Sequence, residues 1–174
     1  MKQMTAYVAL LRAVNVGGTG KLPMSELKAM CVAEGFGDVA TYIASGNVVF
    51  TSTLSEAGVK AALVRRLETY AGKPVGVQVR TAAEMAQVLA DNPFPDAKPN
   101  WTVAIFLDGA PAADAAETVR DRAEDEAVRL GKREIYVSYG AGMGQSKLKI
   151  PAAKDGTARN INTIAKLAQM AGAL

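Results

Sequence analysis

The chain opens with strand-like and then helix-like spacing of its apolar residues. Thr5–Leu11 (TAYVALL) is almost continuously apolar, which is typical of a central strand. A Gly-rich loop follows, and Pro23 then suits the first position of a helix. Met24, Leu27 and Cys31 fall on one face of that predicted helix. The pattern therefore predicts a strand, a loop and an amphipathic helix.

The rest of the first half predicts a hairpin, a second helix and a fourth strand. Asp38–Ile43 and Asn47–Thr51 are β-rich runs separated by a short turn. The second helix begins at Ser55 and ends at Gly72. Its predicted buried stripe consists of Val59, Leu63, Leu67 and Tyr70. Pro74–Arg80 alternates as a strand does, so the order is β-α-β-β-α-β, as in ferredoxin-like domains.

The second half is predicted to repeat this topology, and the Pro/Asn/Asp-rich residues 92–100 are the best internal boundary by composition. Thr81 and Glu84 form a capping box for a helix. The further predicted elements are a strand at Trp101–Leu107, an Ala-rich helix capped by Asp114 and Glu117, a hairpin of 127–130 and 133–139 across Gly131-Lys132, a short helix at Gln145–Ile150 and a final helix at Asn160–Met170. The predicted fold class is α+β, with two ferredoxin-like halves and mainly antiparallel sheets.

Length and composition fit two small halves or one compact domain. The chain has 174 residues, of which 49% are hydrophobic and 21% are charged, as in ordinary globular proteins. We place the first ferredoxin-like half at residues 1–80. The second half, of similar topology and with a C-terminal helix, takes residues 81–174. A single compact domain is the alternative.

No stretch of the sequence has the pattern of a membrane or secreted protein. Its apolar runs fall well short of the roughly 18 residues that a spanning helix needs. Met1–Leu11 contains an apolar stretch, but Arg12 interrupts it and no small-residue cleavage site follows. We therefore expect a cytoplasmic protein.

The chain contains no histidine and a single cysteine, Cys31. The lack of histidine excludes Ser-His-Asp and Cys-His catalysis and His-ligated metal sites. One cysteine forms no intrachain disulfide and no multi-thiolate cluster. Because Cys31 lies among the apolar positions of a predicted helix, we expect a buried hydrophobe rather than a nucleophile. The net charge of +3 permits an acidic partner without requiring one.

The Gly-rich loop is the first candidate binding element. Asn15–Lys21 (NVGGTGK) ends like a phosphate-binding P-loop, but Asn15 replaces the first glycine of that motif and Leu22 replaces its hydroxyl residue. It is therefore not a Walker A motif. Backbone N–H groups around Gly17 and Gly18, with the charge of Lys21, still suit an anion. The structural alternative is a plain connection whose glycines adopt positive φ.

A second polar cluster, Arg159–Thr163 (RNINT), opens the last predicted helix. Arg159 can grip a phosphate or carboxylate, and the free N–H groups of a helix start favour an anion. Asn160 or Asn162 is equally suited to cap the helix with no ligand involved. Lys147 belongs to a basic stretch shortly before, which is also typical of a solvated face.

Six stretches, spread in order over nearly the whole chain, form a recognisable set. They are Tyr7–Gly18 (YVALLRAVNVGG), Lys21–Met24 (KLPM), Thr41–Phe50 (TYIASGNVVF), Asn92–Pro95 (NPFP), Ser146–Leu148 (SKL) and Arg159–Leu167 (RNINTIAKL). Together they resemble the bacterial family catalogued as domain of unknown function 1697. The resemblance implies an α+β protein built from ferredoxin-like halves, and it implies no established activity.

The resemblance also carries over a set of polar positions, which it places in loops or at element ends and not on buried faces. They are Arg12, Asn15, Lys21, Ser45, Asn47, Ser146, Lys147, Arg159, Asn160, Asn162 and Thr163. Two positions depart from the family pattern. Ala44 stands where the family has glutamine, which argues against a side-chain role there. Ile161 stands where the family has tryptophan, which indicates packing.

The leading functional hypothesis is a site for a small anion, such as a nucleotide, a phosphate or a carboxylate, where these segments converge. Its predicted ligand-binding residues are Arg12, Asn15, Gly17, Gly18, Lys21, Ser45, Asn47, Lys147, Arg159, Asn160, Asn162 and Thr163. No residue stands out as a general base, and the sequence assigns no metal, cofactor or reaction. The alternatives are an assembly module that pairs with a second copy, and a single-stranded nucleic-acid binder, which the 6% aromatic content disfavours.

Overall fold

The computed structural model describes residues 3–16, 20–140 and 142–174. The chain divides into two units. Unit 1 comprises the residues up to Met85 together with Leu167–Leu174, and unit 2 comprises Ala86–Lys166. Each unit carries one four-stranded sheet. No helix within the described ranges is long and apolar enough to cross a membrane.

Unit 1 has the predicted β-α-β-β-α-β order. Its elements are β1 (Thr5–Leu11), α1 (Met24–Ala33), β2 (Gly37–Thr41), β3 (Asn47–Ser52), α2 (Glu56–Ala71) and β4 (Val77–Thr81). The strands lie in the order β2-β3-β1-β4, and each neighbouring pair is antiparallel. The predicted α+β class with antiparallel sheets is confirmed, and this strand order is consistent with a ferredoxin-like half.

The two ends of α2 are capped as its sequence predicts. The Ser55 hydroxyl oxygen accepts a hydrogen bond from the Gly58 N–H at 3.1 Å, so one exposed donor of the first turn is satisfied. At the other end Gly72 has φ 72°, and its N–H donates to the Glu68 carbonyl oxygen at 2.8 Å. In α1, by contrast, Pro23 precedes the first helical residue as the N-cap rather than occupying the first helical position.

The core of unit 1 lies between one face of its sheet and the two helices. Because successive strand side chains point to opposite faces, every second residue of β1 belongs to this core. Phe36 stacks on Phe50 with ring centroids 4.5 Å apart. The buried side chains of this core are Tyr7, Ala9, Leu11, Val14, Leu22, Leu27, Met30, Cys31, Phe36, Val48, Phe50, Val59, Ala62, Leu63, Leu67, Val77 and Val79.

The predicted buried stripe of α2 is correct for three of its four residues. Val59, Leu63 and Leu67 are buried, whereas Tyr70 is 46% exposed. Tyr70 lies in the last helical turn, two residues before Gly72 ends the helix, and its side chain lines an open cleft. Tyr70 thus lies on the same face of α2 as the buried residues, but it is beyond the end of the hydrophobic core.

Unit 2 has the same strand order as unit 1. The elements from residue 82 onward are α3 (Ala82–Ala90), β5 (Thr102–Phe106), β6 (Glu126–Leu130), β7 (Glu134–Tyr139), β8 (Thr157–Asn160) and α4 (Ile161–Gly172). The strands lie in the order β6-β7-β5-β8 and pair antiparallel. When β5 is matched with β1, the two sheets have one topology. The division between the units falls inside α3 and inside α4.

The two connections that are helices in unit 1 are only short 3₁₀ turns in unit 2. The predicted Ala-rich helix is wrong, because only Ala115–Thr118 is helical there, as a 3₁₀ turn. This stretch has Ala115 as its one buried residue, so a longer helix would have no bulky apolar face to bury. Pro151–Ala153 is the second such turn.

Two further expectations for unit 2 are corrected by its structure. Gln145–Ile150 is not helical, and its Lys149 pairs with Arg120 in an isolated β-bridge. Ser146, Leu148 and Ile150 are half-buried while the residues between them are exposed, a period of two that marks extended chain. The strand β8 was not predicted, because Thr157–Asn160 (TARN) has no apolar pattern of its own and owes its conformation to pairing with β5.

Replacing Gly46 with alanine tests the turn between β2 and β3. Gly46 has φ 92°, and an added Cβ would lie 2.6 Å from Val14 Cγ2. Gly35 has a similar φ of 82° with no atom within 4 Å of that position, so Gly35→Ala is a matched control for backbone strain alone. We expect Gly46→Ala to lose about 1–3 kcal/mol more unfolding free energy than Gly35→Ala in urea unfolding. Equal losses would show that the turn has room for a side chain.

Candidate functional site

The C-terminal end of β1 is held by backbone hydrogen bonds on both sides. The Leu11 N–H donates to the Gly46 carbonyl oxygen at 2.8 Å, in the turn between β2 and β3. The Arg12 N–H donates to the Gly76 carbonyl oxygen at 2.9 Å, just before β4. The loop after β1 therefore begins at a fixed point between two other loops of unit 1.

Asn15 fixes the next part of that loop. Its Nδ2 donates to the carbonyl oxygens of Leu22 and Ala44, both at 2.8 Å, and its Oδ1 accepts from the Leu22 N–H at 2.8 Å. The Asn15 N–H also donates to the Gly20 carbonyl oxygen at 2.9 Å. Asn15 has φ 55°, a conformation that asparagine tolerates better than most residues. The amide of Asn15 thus shapes the loop, and this role differs from the ligand-binding one predicted for it.

A cleft of about 530 Å³ opens where these loops meet the end of α2. Three basic residues line it, Arg12 and Lys21 from the first loop and Lys73 from the segment after α2. No acidic residue is among the described residues of its wall. Apart from these three and two glycines, the lining is apolar or aromatic, and consists of Ala13, Val14, Leu22, Leu67, Tyr70, Ala71, Pro74 and Val75. The cleft is therefore a concave surface with charge of one sign.

A larger groove of about 670 Å³ runs between α1 and α2, and its charges are mixed. Glu26 and Glu34 line it together with Arg65 and Arg66. Arg66 Nε donates to Glu34 Oε1 at 2.8 Å, so one arginine already has a carboxylate partner. This groove offers an anion less net attraction than the cleft does.

The turn between β2 and β3 holds two more of the predicted residues. Asn47 is fully buried, and its Nδ2 donates to the Tyr42 carbonyl oxygen and to the Ser45 hydroxyl oxygen, both at 2.8 Å. These bonds close the turn that contains Gly46. Neither Ser45 nor Asn47 lines the cleft. Gly17 and Gly18, which were also predicted to bind the ligand, lie outside the described residues.

Arg159 lies on β8 and not at an exposed helix start. It is opposite Ala104 of β5, it is 9% exposed, and its Nη1 donates to the Ala158 carbonyl oxygen at 2.9 Å. Burial lowers the pKa of the Arg159 guanidinium to about 10, which still leaves it charged near neutral pH. The expectation that the polar positions avoid buried faces is wrong here, and also for Asn47 and Thr163.

Arg80 occupies the equivalent place in unit 1. It lies on β4 opposite Val8 of β1, it is 1% exposed, and its Nη1 donates to the Val79 carbonyl oxygen at 2.9 Å. The two sheets thus carry the same buried arginine with the same bond to the preceding residue. Because this arrangement recurs where no site was predicted, it favours a structural role for Arg159.

The residue after each buried arginine caps a helix. The Thr81 hydroxyl oxygen accepts from the Glu84 N–H at 3.1 Å, and Glu84 Oε1 accepts from the Thr81 N–H at 2.9 Å, as the predicted capping box requires. Asn160 Oδ1 accepts from the Thr163 N–H at 2.9 Å. Asn160 is therefore the helix cap that the sequence offered as its alternative, whereas Asn162 is exposed on α4.

Lys147 lines a separate cleft of about 480 Å³ in unit 2. Asp121, Asp125 and Glu126 line the same cleft, and Arg159–Thr163 does not contribute to it. Glu126 is buried and accepts hydrogen bonds from the Ala123 N–H and the Ser146 hydroxyl. The acidic lining makes this cleft a weaker anion site. That the segments of the two units meet at one site stays a prediction.

The cleft in unit 1 lies within the part of the chain that a known family covers. The sequence profile of the family described as protein of unknown function (DUF1697) matches residues 4–136. The chain belongs to this family. The match includes all of Arg12, Lys21, Tyr70 and Lys73, and it ends in β7, before Lys147 and Arg159. The resemblance seen in the sequence is thereby confirmed.

A solved structure also resembles this DUF1697 chain over almost its entire length. It is that of the conserved bacterial protein SP0830 from Streptococcus pneumoniae, with a TM-score of 0.80 and 26% sequence identity. The similarity covers 97% of this chain and 99% of that one. Among functionally curated proteins, none matches the sequence. These comparisons establish the family and the fold of the chain, and they name no ligand or reaction.

Two side chains of reactive type in this family member, Cys31 and Tyr136, are buried. Burial, with a smaller contribution from Glu34, raises the pKa of the Cys31 thiol to about 12, so the thiolate is scarce near neutral pH. Burial also raises the pKa of Tyr136, whose hydroxyl donates to the Val88 carbonyl oxygen at 2.8 Å. Within residues 3–16, 20–140 and 142–174, no cluster of three or more carboxylate or thiol side chains is placed to hold a metal ion.

Replacing Asn15 with alanine removes the bonds that shape the first loop. Two carbonyl oxygens and the Leu22 N–H lose their partner, so we expect a loss of about 1–2 kcal/mol of unfolding free energy. Asn162→Ala is the control, because Asn162 is exposed, and it should change stability by less than about 0.5 kcal/mol. Urea unfolding of both variants measures the difference. If Asn15→Ala proved as stable as Asn162→Ala, the loop would not depend on this side chain.

Cys31→Ala tests the buried thiol through the pH dependence of stability. Its pKa rises from 9.0 to about 12 on folding, so between these values the unfolded chain releases the thiol proton while the folded protein keeps it. We expect the unfolding free energy of the wild type to fall more steeply above about pH 9 than that of Cys31→Ala. Urea unfolding at a series of alkaline pH values measures both. Parallel profiles would mean that the thiol is not protected by burial.

Proposed function

We propose that unit 1 binds a small phosphate- or carboxylate-bearing molecule in the cleft at the end of β1. The observation that carries this proposal is the convergence of Arg12, Lys21 and Lys73 on one concave surface whose described lining contains no carboxylate. Two of the three residues were predicted from the sequence. The proposal also includes the cytoplasmic location that the sequence leads us to expect.

The physical basis is charge of one sign on partly apolar walls. Like charges held around a cleft attract a counter-ion, and apolar walls strengthen that attraction because they keep the local dielectric low. Arginine adds a planar fork that matches two oxygens of a phosphate or carboxylate, whereas lysine acts as a point charge. Together these residues can neutralise a dianion such as phosphate.

The nucleic-acid alternative loses its main structural basis in unit 1. A base-stacking platform needs aromatic side chains exposed on the sheet. Tyr7 and Phe50 are 4% and 0% exposed, and Tyr7 donates its hydroxyl to the Leu54 carbonyl oxygen at 2.7 Å. Val8 and Leu10, which alternate with Tyr7 along β1, are also fully buried. Pairing with a second copy of the chain stays a prediction.

Lys21→Gln and Lys73→Gln test the proposed site through phosphate-induced stabilisation. A ligand at about 100 times its Kd adds about 2.7 kcal/mol of unfolding free energy and raises the Tm by several degrees. We expect inorganic phosphate to raise the Tm of the wild type. Each variant should require about tenfold more phosphate for the same rise, because it loses one charged contact.

Two further Lys→Gln variants act as matched controls. Lys28 is exposed on α1 and does not line the cleft, and Lys147 lines the cleft of unit 2. Lys28→Gln and Lys147→Gln should respond to phosphate as the wild type does. An equal weakening in Lys28→Gln would mean nonspecific charge, and a selective loss in Lys147→Gln would move the site to unit 2. Either result would overturn the proposal.

A further inference from the structure

We propose that the anion bound in this cleft is a mononucleotide, whose phosphate binds the basic residues and whose base stacks on Tyr70. This inference rests on the proposed anion site and adds the class of its ligand. It is carried by two observations that a plain phosphate site would not require. One is the apolar wall of the cleft, and the other is the exposure of the Tyr70 ring to solvent.

The cleft is larger and more apolar than a phosphate ion needs. Its volume of about 530 Å³ lies within the range of roughly 300–1,000 Å³ that is typical of sites for whole small molecules. The wall formed by Leu67, Ala71, Pro74 and Val75 offers no hydrogen-bonding side chain. Inorganic phosphate would leave that wall in contact with water. A ligand that is charged at one end and weakly polar at the other would cover it.

Tyr70 is the aromatic residue of this wall, and it also lines the groove between α1 and α2. Its side chain is 46% exposed at the end of α2, although the helical spacing of α2 would place it in the core. Among the described residues, none forms a hydrogen bond with the Tyr70 hydroxyl or stacks on the Tyr70 ring. An exposed aromatic face beside basic residues suits the planar, heteroaromatic base of a nucleotide.

The charge pattern fits the other end of the same ligand. A nucleoside monophosphate carries a phosphate near two negative charges at neutral pH, and Arg12, Lys21 and Lys73 supply the opposite sign around the cleft. Stacking supplies affinity that depends little on which base is stacked. The structure therefore assigns a class of ligand and not one particular base.

Titration calorimetry on the full chain tests this with AMP, adenosine and inorganic phosphate as probes. The wild type should bind AMP at least about tenfold more tightly than phosphate, because stacking of one base contributes about that factor. Tyr70→Leu should lose most of this advantage and keep the phosphate affinity. Tyr70→Phe is the matched control, since it keeps the ring and should keep the advantage.

The outcomes separate this inference from the proposed function. If Lys21→Gln and Lys73→Gln weaken phosphate but Tyr70→Leu leaves the AMP-to-phosphate ratio unchanged, the anion site stands and the nucleotide assignment is overturned. If the two lysine variants bind phosphate and AMP like the wild type, both proposals fail. Tighter binding of a short oligoadenylate than of AMP would overturn the mononucleotide in favour of single-stranded RNA.

Discussion

Two backbone hydrogen bonds at the end of β1 fix the place where the loops of unit 1 come together. Leu11 bonds to Gly46 on one side, and Arg12 bonds to Gly76 on the other. Since β1 is a central strand of the antiparallel sheet, its C-terminal end is adjacent to loops from both neighbouring strands. Asn15 then connects the first loop to Leu22 and Ala44. The basic cleft depends on this geometry, because Arg12 and Lys21 come from the loop after β1 and Lys73 comes from the segment after α2.

The two units have one strand topology, but different elements cover the sheet in each. In unit 1, α1 and α2 cover a face of the sheet with large apolar side chains. In unit 2, short segments without α-helices pack against the sheet core. Their contacting residues include Ala116, Val119, Leu148, Ile150 and Ala153. Strand order and the buried arginine before a helix cap recur in both units, so these features belong to the fold. The basic cleft has no such counterpart among the predicted residues of unit 2, where Lys147 shares its cleft with carboxylates.

The sequence predicted the elements that nearby residues determine, such as helix caps. It did not predict elements that depend on contacts with distant parts of the chain. The caps of α2 and α3 follow from Ser55, Gly72 and Thr81, since each acts on residues within one turn. The strand β8 has no pattern of its own and exists through pairing with β5. Lys73 follows a helix cap and precedes Pro74, so nothing in its local sequence distinguishes it from a surface lysine. Tyr70 was predicted to be buried from its spacing in α2, but it is exposed at the candidate site. Departures from local sequence rules are expected at functional sites.

The most direct test of the account is NMR chemical-shift mapping of isotopically labelled protein during a titration with inorganic phosphate. The account predicts that the amide signals of Arg12, Leu22 and Gly76 shift together with a single saturation curve. The signals of Gln145 and Lys147 in unit 2 should stay in place. Shifts confined to Gln145, Lys147 or Arg159, or no saturable shift at the end of β1, would contradict the central claim that the basic cleft of unit 1 is the anion site.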